Sequence, residues 1–190
     1  MKRLDRLISD ISDASRLDAE LQRQDALPVD LRRLLATLVS VANETKLGHD
    51  VAVEARFEGR SPNDTLSVPG HDSRLGQVIS NLLSNAQSFS EPGNKVRIVC
   101  RRVRSEIEIV VDDDGPGIRE DALERIFERF YTDRPHQGFG QNSGLGLSIS
   151  KQIIEAHGGR IWAENRAGAP DEDGAPTVAG ARFVLRLPAL

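Results

Sequence analysis

Three acidic residues in a row, Asp112, Asp113 and Asp114, run directly into Gly115, Pro116, Gly117 and Ile118. Such a run could cage a metal, close an acidic turn or read a ligand. A metal cage is disfavoured, because consecutive side chains diverge and no histidine stands nearby. The acids end the alternating stretch "EIEIVVDDD", and ligand-binding loops gather at strand ends in α/β sheets. Glycines at 115 and 117 let the backbone approach a flat ligand with no Cβ in the way, although a tight acidic turn would read the same.

Three other clusters could do chemistry. Asn81 and Asn85 lie four residues apart in a helical stretch and share a face with Ser88. An asparagine carbonyl suits a hard cation such as Mg²⁺, and its amide can donate to a phosphate; two solvent-facing asparagines are the plainer alternative. In "NSGLGLSIS", Gly144, Leu145, Gly146 and Leu147 open a helix whose free N–H groups and dipole suit an anion. No Gly-Lys-Ser/Thr follows, so this is not a Walker A loop. In "ERIFERFYTDRPHQGFG", Phe127, Phe130 and Tyr131 accompany Arg125, Arg129 and Arg134. An aromatic anchor before a Gly-containing polar loop suits a closing lid whose arginines meet phosphate oxygens; the alternative is a surface hairpin pinned by phenylalanine.

Elements that could position these residues follow from periodicity. Leu4, Leu7, Ile11, Ala14 and Leu21 mark an amphipathic N-terminal helix, its seam interrupted at Asp18, that ends at "DALP". From Leu27 the pattern is mixed. "VDLRRLLATLVSVANET" and "DSRLGQVISNLLSNAQSF" read as helices, the second with Asp72 as its N-cap. "DVAVEARFEG" and "TLSVPG" read as strands, and "KVRIVCRRV" with "EIEIVVDDD" as a hairpin. "EDALERIFERF" is expected to be a short helix, and "GLGLSISKQIIEAHGG" a longer one. "RIWAEN" and "ARFVLRLPAL" close the chain as strands around a flexible stretch, "RAGAPDEDGAPTVAG".

The 190 residues suit one domain plus an appendage, and 38% hydrophobic with 28% charged residues is ordinary for a globular protein. A net charge of −4 gives no reason to expect nucleic acid. The single cysteine, Cys100, cannot form an internal disulfide and reads as a small buried hydrophobe. No stretch approaches the roughly 20 apolar residues of a membrane helix, nor does the N-terminus read as a signal peptide.

Taken in order, "NLLSNA", "DDDGPGI", "IFERFY", "GLGLSI" and "HGG" resemble the N, G1, F and G2 boxes and the following Gly-Gly turn of sensor histidine kinases. These kinases belong to the GHKL (Bergerat-fold) ATPase group that also contains gyrase, Hsp90 and MutL. The resemblance covers Leu27 to Leu190 and implies a two-layer α/β sandwich, a mixed sheet of about five strands packed on three helices. It implies a catalytic ATP-binding domain over residues 27–190, preceded over 1–26 by the second helix of the dimerisation and phosphotransfer hairpin. Its cofactors would be ATP and Mg²⁺. Asp113 would accept the adenine amino group, with Gly115, Gly117 and Ile118 shaping the base pocket. Asn85 would hold the metal, with Asn81 and Ser88 beside it. Arg129 and Arg134 would meet the phosphate tail, capped by Gly144, Leu145, Gly146 and Leu147, and Tyr131 would stand among the nucleotide-binding residues. Asn81 and Arg129 are the expected catalytic residues.

The resemblance also ranks activities. Hydrolysing relatives carry a glutamate one turn before the metal asparagine; here that place holds Asn81, which is no base at neutral pH. Transfer of the γ-phosphate to a histidine, and onward to a response regulator, is therefore favoured over an ATP hydrolase, a non-catalytic nucleotide-binding module or an anti-sigma-type serine kinase. Ser88 replaces a frequent lysine and Arg182 a frequent Thr or Ser, which implies weaker phosphate contact. None of His49, His71, His136 or His157 lies in a His-Glu-x-x-x-Pro context, and His157 reads as structural. The implied whole is a homodimeric, membrane-anchored sensor with this part in the cytoplasm, the acceptor histidine lying outside this chain.

Overall fold

The computed structural model describes residues 26–45, 50–59, 65–131 and 144–190. The expected N-terminal helix, Arg134, His49 and His136 lie outside them. Elements run β1 (Leu27–Asp30), α1 (Leu31–Thr45), β2 (Ala52–Glu58), β3 (Ser67–Gly70), α2 (Asp72–Phe89), β4 (Lys95–Val103), β5 (Glu106–Asp112), α3 (Gly146–Ala156), β6 (Arg160–Ala167) and β7 (Val178–Pro188). The main sheet has order β2-β4-β5-β7-β6. Its β2–β4 pair is parallel and the other three pairs are antiparallel. A parallel pair needs a long crossover, which β3 and α2 supply.

Alternation in the strands sets the two faces. Val96, Ile98 and Cys100 of β4, Ile107, Ile109 and Val111 of β5, and Phe183, Leu185 and Leu187 of β7 point to one side. There they meet Leu31 and Leu35 of α1, Leu82 of α2, and Ile153 and Ile154 of α3, all buried. The expected sandwich of one mixed sheet on three helices is therefore the architecture. Cys100 sits in the middle of this layer, paired with Phe57 on β2 and Ile109 on β5. Burial pushes its thiol up to about 12.

The other side of the sheet is charged. Buried Glu108 receives Arg101 at 2.6 Å and Arg186 at 2.6 Å, while Arg160 pairs with Glu106 at 3.0 Å. Burial raises the Glu108 carboxyl, but the two guanidiniums outweigh that and hold it below the usual carboxylate range.

Four expectations need correction. Leu27–Asp30 is a strand, paired with β3 in a separate two-stranded sheet, and not part of the first helix. Asp30 instead caps that helix, its Oδ1 accepting the Arg32 and Arg33 N–H groups at 3.0 and 3.2 Å. The N-cap of α2 is His71, with Asp72 inside the first turn. "EDALERIFERF" is not a continuous helix but two 3-10 turns, Glu120–Ala122 and Arg125–Phe127. Glu128 turns extended after the second one, and Phe130 follows at φ 65°. Finally, the Gly-Pro-rich stretch after β6 is organised: Gly168 N–H donates to the Thr177 carbonyl at 2.8 Å, and Asp171 Oδ1 accepts from Asp173 and Ala175.

Candidate nucleotide site

The site is built at the end of β5. Asp113 is buried, its side chain aimed to the helix-covered side. Its Oδ1 accepts the N–H groups of Gly115 at 2.9 Å and Ala181 at 2.9 Å. Among the described residues nothing donates to Oδ2, which leaves that oxygen for an external donor. Burial raises the carboxyl above its ordinary range, against the pull of the two N–H groups and Arg166. Proton loss leaves Oδ2 a buried acceptor.

The flanking acids do other work. Asp112 ends the strand in a bidentate pair with Arg182 at 2.7 and 2.8 Å. Asp114 is held by two guanidiniums. It lies between Arg97 at 2.8 Å and Arg166 at 2.7 Å, which hold its carboxyl low. Arg182 thus spends its charge on the outer face of the sheet.

The glycine loop lies flush against β6 and α2. The Ile118 N–H donates to Asn165 Oδ1 at 2.7 Å, and Asn165 Nδ2 donates back to the Ile118 carbonyl at 2.6 Å. Gly117 has φ 80°, and a Cβ there would come within 2.4 Å of Val178 and 2.8 Å of Asn165. A Cβ on Gly115 would stand 2.7 Å from the Phe89 carbonyl, so the last turn of α2 adjoins the loop. Arg166 Nη1 donates to the Asp113 carbonyl at 2.6 Å. Asn165 and Arg166 were not anticipated from sequence; an asparagine inside a strand, where it is disfavoured, was the one available signal.

The remaining residues line α2 and α3. Asn81 Nδ2 donates to the Gly146 carbonyl at 3.2 Å and to Ser150 Oγ at 3.4 Å, tying α2 to the first turn of α3. Asn85, half-buried one turn further on, has no side-chain hydrogen bond among the described residues, and the Ser88 hydroxyl donates to its backbone carbonyl at 2.8 Å. Among the described residues no side chain caps the N–H groups at the start of α3, Gly146. Leu145 is buried beneath this turn, while Leu147 packs at the margin of the core.

The aromatic segment packs against β7 and the approach to α3. Phe127 anchors it edge-on against Phe183, ring centroids 6.4 Å apart. Arg125 stacks over Tyr131, its guanidinium 5.0 Å from the ring centroid. Phe130 N–H donates to the Gly144 carbonyl at 3.0 Å, so the two stems of the 132–143 segment are bonded to each other. Arg129 is exposed and unpaired among the described residues. His157 is fixed elsewhere: its Nε2 accepts the His71 N–H at 3.2 Å, and its Nδ1 faces the Ile153 carbonyl at 2.7 Å.

The loop, the polar helix face and the uncapped helix end therefore converge on one region, and the described residues include no cluster of metal-ligating His, Cys, Asp and Glu. Residues 70–190 match the family described as histidine kinase-, DNA gyrase B-, and HSP90-like ATPase. The whole chain is 53% identical to the sensor protein ChvG of Rhizobium meliloti (strain 1021) and covers 33% of that protein. It spans about a third of the length of the curated relatives it matches. Its fold is similar to the mycobacterial sensor histidine kinase MprB, with a TM-score of 0.68 at 27% identity, covering 86% of this chain and 97% of that one. It is also similar to the histidine kinase ThkA solved with the response regulator TrrA, with a TM-score of 0.70 at 25% identity, over 100% of this chain and 49% of that one. The chain belongs to the histidine kinase-, DNA gyrase B-, and HSP90-like ATPase family, as an ATP-binding catalytic domain of the sensor histidine kinase type.

Proposed function

We propose that residues 27–190 bind Mg-ATP between the Asp113 loop and the α2–α3 surface, and present its γ-phosphate to a histidine of a longer sensor kinase. The observation that carries this is the Asp113 carboxylate, held by two backbone N–H groups on one oxygen with the other left over. An adenine amino group is the donor that fits. Asn85 offers the oxygen donor that Mg²⁺ prefers, and Asn81 and Ser88 stand along the same helix. Mg²⁺, when bound, neutralises charge on the phosphate chain. The N–H groups of Gly146 and Leu147, with Leu145 and Gly144 leading into them, would cap the tail. Arg129, Tyr131 and Arg134 would approach it from the lid.

Asn81 supports transfer over hydrolysis, because an amide that donates to Gly146 and Ser150 cannot activate water as a base. The two described histidines, His71 and His157, pack against each other, ring centroids 5.5 Å apart, and both ring nitrogens of His157 face backbone groups, which argues against His157 as the phosphoacceptor. Residues 1–26 would be the second helix of the dimerisation hairpin, and the parent a homodimeric, membrane-anchored sensor with this domain in the cytoplasm. ThkA, seen with a response regulator, supports a regulator as the downstream partner. Among the described residues no helix is long and apolar enough to cross a membrane.

Titration of the chain with Mg-ATP should show saturable binding that Asp113→Asn weakens about 100-fold or more. Stable radiolabel on this chain alone, or steady phosphate release, would overturn the assignment of a transfer domain whose acceptor lies elsewhere.

A further inference from the structure

Two adjacent residues of β6 grip the base-reading loop from opposite faces of the sheet. Successive side chains of a strand point to opposite sides, so Asn165 faces the helix layer and Arg166 the charged layer. Asn165 exchanges two hydrogen bonds with the Ile118 peptide, at 2.7 and 2.6 Å, fixing the far end of the loop. Arg166 holds the near end: it donates to the Asp113 carbonyl at 2.6 Å and pairs with Asp114 at 2.7 Å. The ladder to β7 shifts register between Arg166 and Ala167, and such irregularities re-aim side chains beside functional sites. Across β7, Gly180 takes φ 140°, and a Cβ there would fall 2.0 Å from the Asp113 carbonyl, so the loop can lie directly on the sheet edge.

We infer that Asn165 and Arg166 are positioning residues that set base specificity. They hold the Asp113 carboxylate and the Ile118 end of the loop at one fixed separation, so that the pocket accepts an amino-bearing purine and rejects one with a carbonyl there. A buried site built to pair with one donor discriminates through the group left unpaired by the wrong ligand. This rests on the ATP reading above and adds the residues that enforce it.

The test uses the whole chain with two readouts. Amide hydrogen exchange in the nucleotide-free protein should show Ile118 exchanging at least tenfold faster in Asn165→Ala than in wild type, with the β4–β5 amides unchanged. Binding of Mg-ATP and of Mg-inosine triphosphate, which carries a carbonyl in place of the amino group, should show ATP affinity falling roughly tenfold in Asn165→Ala and the preference for ATP shrinking in step. Asn165→Asp keeps an acceptor for the Ile118 N–H but loses the return donor, and should fall between. Arg166→Lys should relax the preference by a few-fold. If Asn165→Ala does not fold, Asn165→Asp and Arg166→Lys carry the same comparison. Unchanged Ile118 exchange, or a lowered melting temperature with the ATP to inosine triphosphate ratio intact, overturns the inference. Failure of wild type to bind Mg-ATP at all overturns the ATP reading itself, and the specificity role with it; rapid Ile118 exchange in Asn165→Ala would then mark a clamp without that role.

Discussion

The two halves of the proposed site are built on opposite plans. Around the base loop nearly every polar group is already engaged: Asp113 by Gly115 and Ala181, Ile118 by Asn165, Asp114 by Arg97 and Arg166. Around the proposed phosphate end, the described residues give Asn85 and Arg129 no side-chain partners and the start of α3 no side-chain cap. On the proposed reading the first half would recognise by being preformed and lose little on binding. The second would recruit its partners from the ligand, which suits a group that must be held and then released.

The sharpest way to break this contrast is Asp113→Asn. The amide keeps a carbonyl oxygen for Gly115 and Ala181 but turns a donor toward the amino group. Affinity for Mg-ATP should fall about 100-fold or more by calorimetry, a loss near 2.7 kcal/mol. Because burial holds the carboxyl above its ordinary range, its charged form is the one the fold disfavours, so thermal stability should be unchanged or higher. The same shift means that wild-type affinity should begin to fall, as pH is lowered, at a pH above that of an ordinary aspartate.

Asn85→Ala should cost less, on the order of tenfold, and only in the presence of magnesium; titrations with and without the metal check this. An equal loss in both would move the metal away from Asn85. Arg129→Ala should weaken binding by a few-fold, with a melting temperature within about a degree of wild type, because the exposed side chain contributes little to the fold. A clear drop in stability would show that this half is as preformed as the other.

The smallest expected effect lies outside both halves. Burial lowers the His157 pKa below its ordinary 6.5, helped by His71 and opposed by the Ile153 carbonyl. The unfolded chain therefore takes up the proton more readily. This contribution favours the fold fully above about pH 6.5 and is lost as pH falls below it. Melting temperatures from pH 7.5 to 5.5 should fall less steeply in His157→Gln than in wild type.

Much of this was legible beforehand. The β4–β5 hairpin and the three helices follow from local periodicity, and Asp113 was separable from its neighbours once the order of the motifs was set beside a known family. What escaped is long-range. β1 pairs with a strand some forty positions on, and nothing in "LPVD" announces that partner. Asn165 and Arg166 act on residues 47 and 53 positions away, so no window of sequence holds both ends of the bond. The expected helix after Ile118 is instead two 3-10 turns, and beyond them Phe130, at φ 65°, gives its N–H to Gly144, a partner that lies outside the expected helix.

The lone thiol at the centre of the sheet turns the fold into its own reporter. Buried, and with its pKa at about 12, Cys100 meets a water-soluble alkylating reagent only when the strands around it part. Its labelling rate in native buffer is then a clock for opening of the sheet. A nucleotide that binds the closed form alone must slow that clock by the factor 1 + [L]/Kd. Mg-ATP should slow labelling in wild type and leave it unchanged in Asp113→Asn, giving an affinity from a residue that lies outside the proposed pocket.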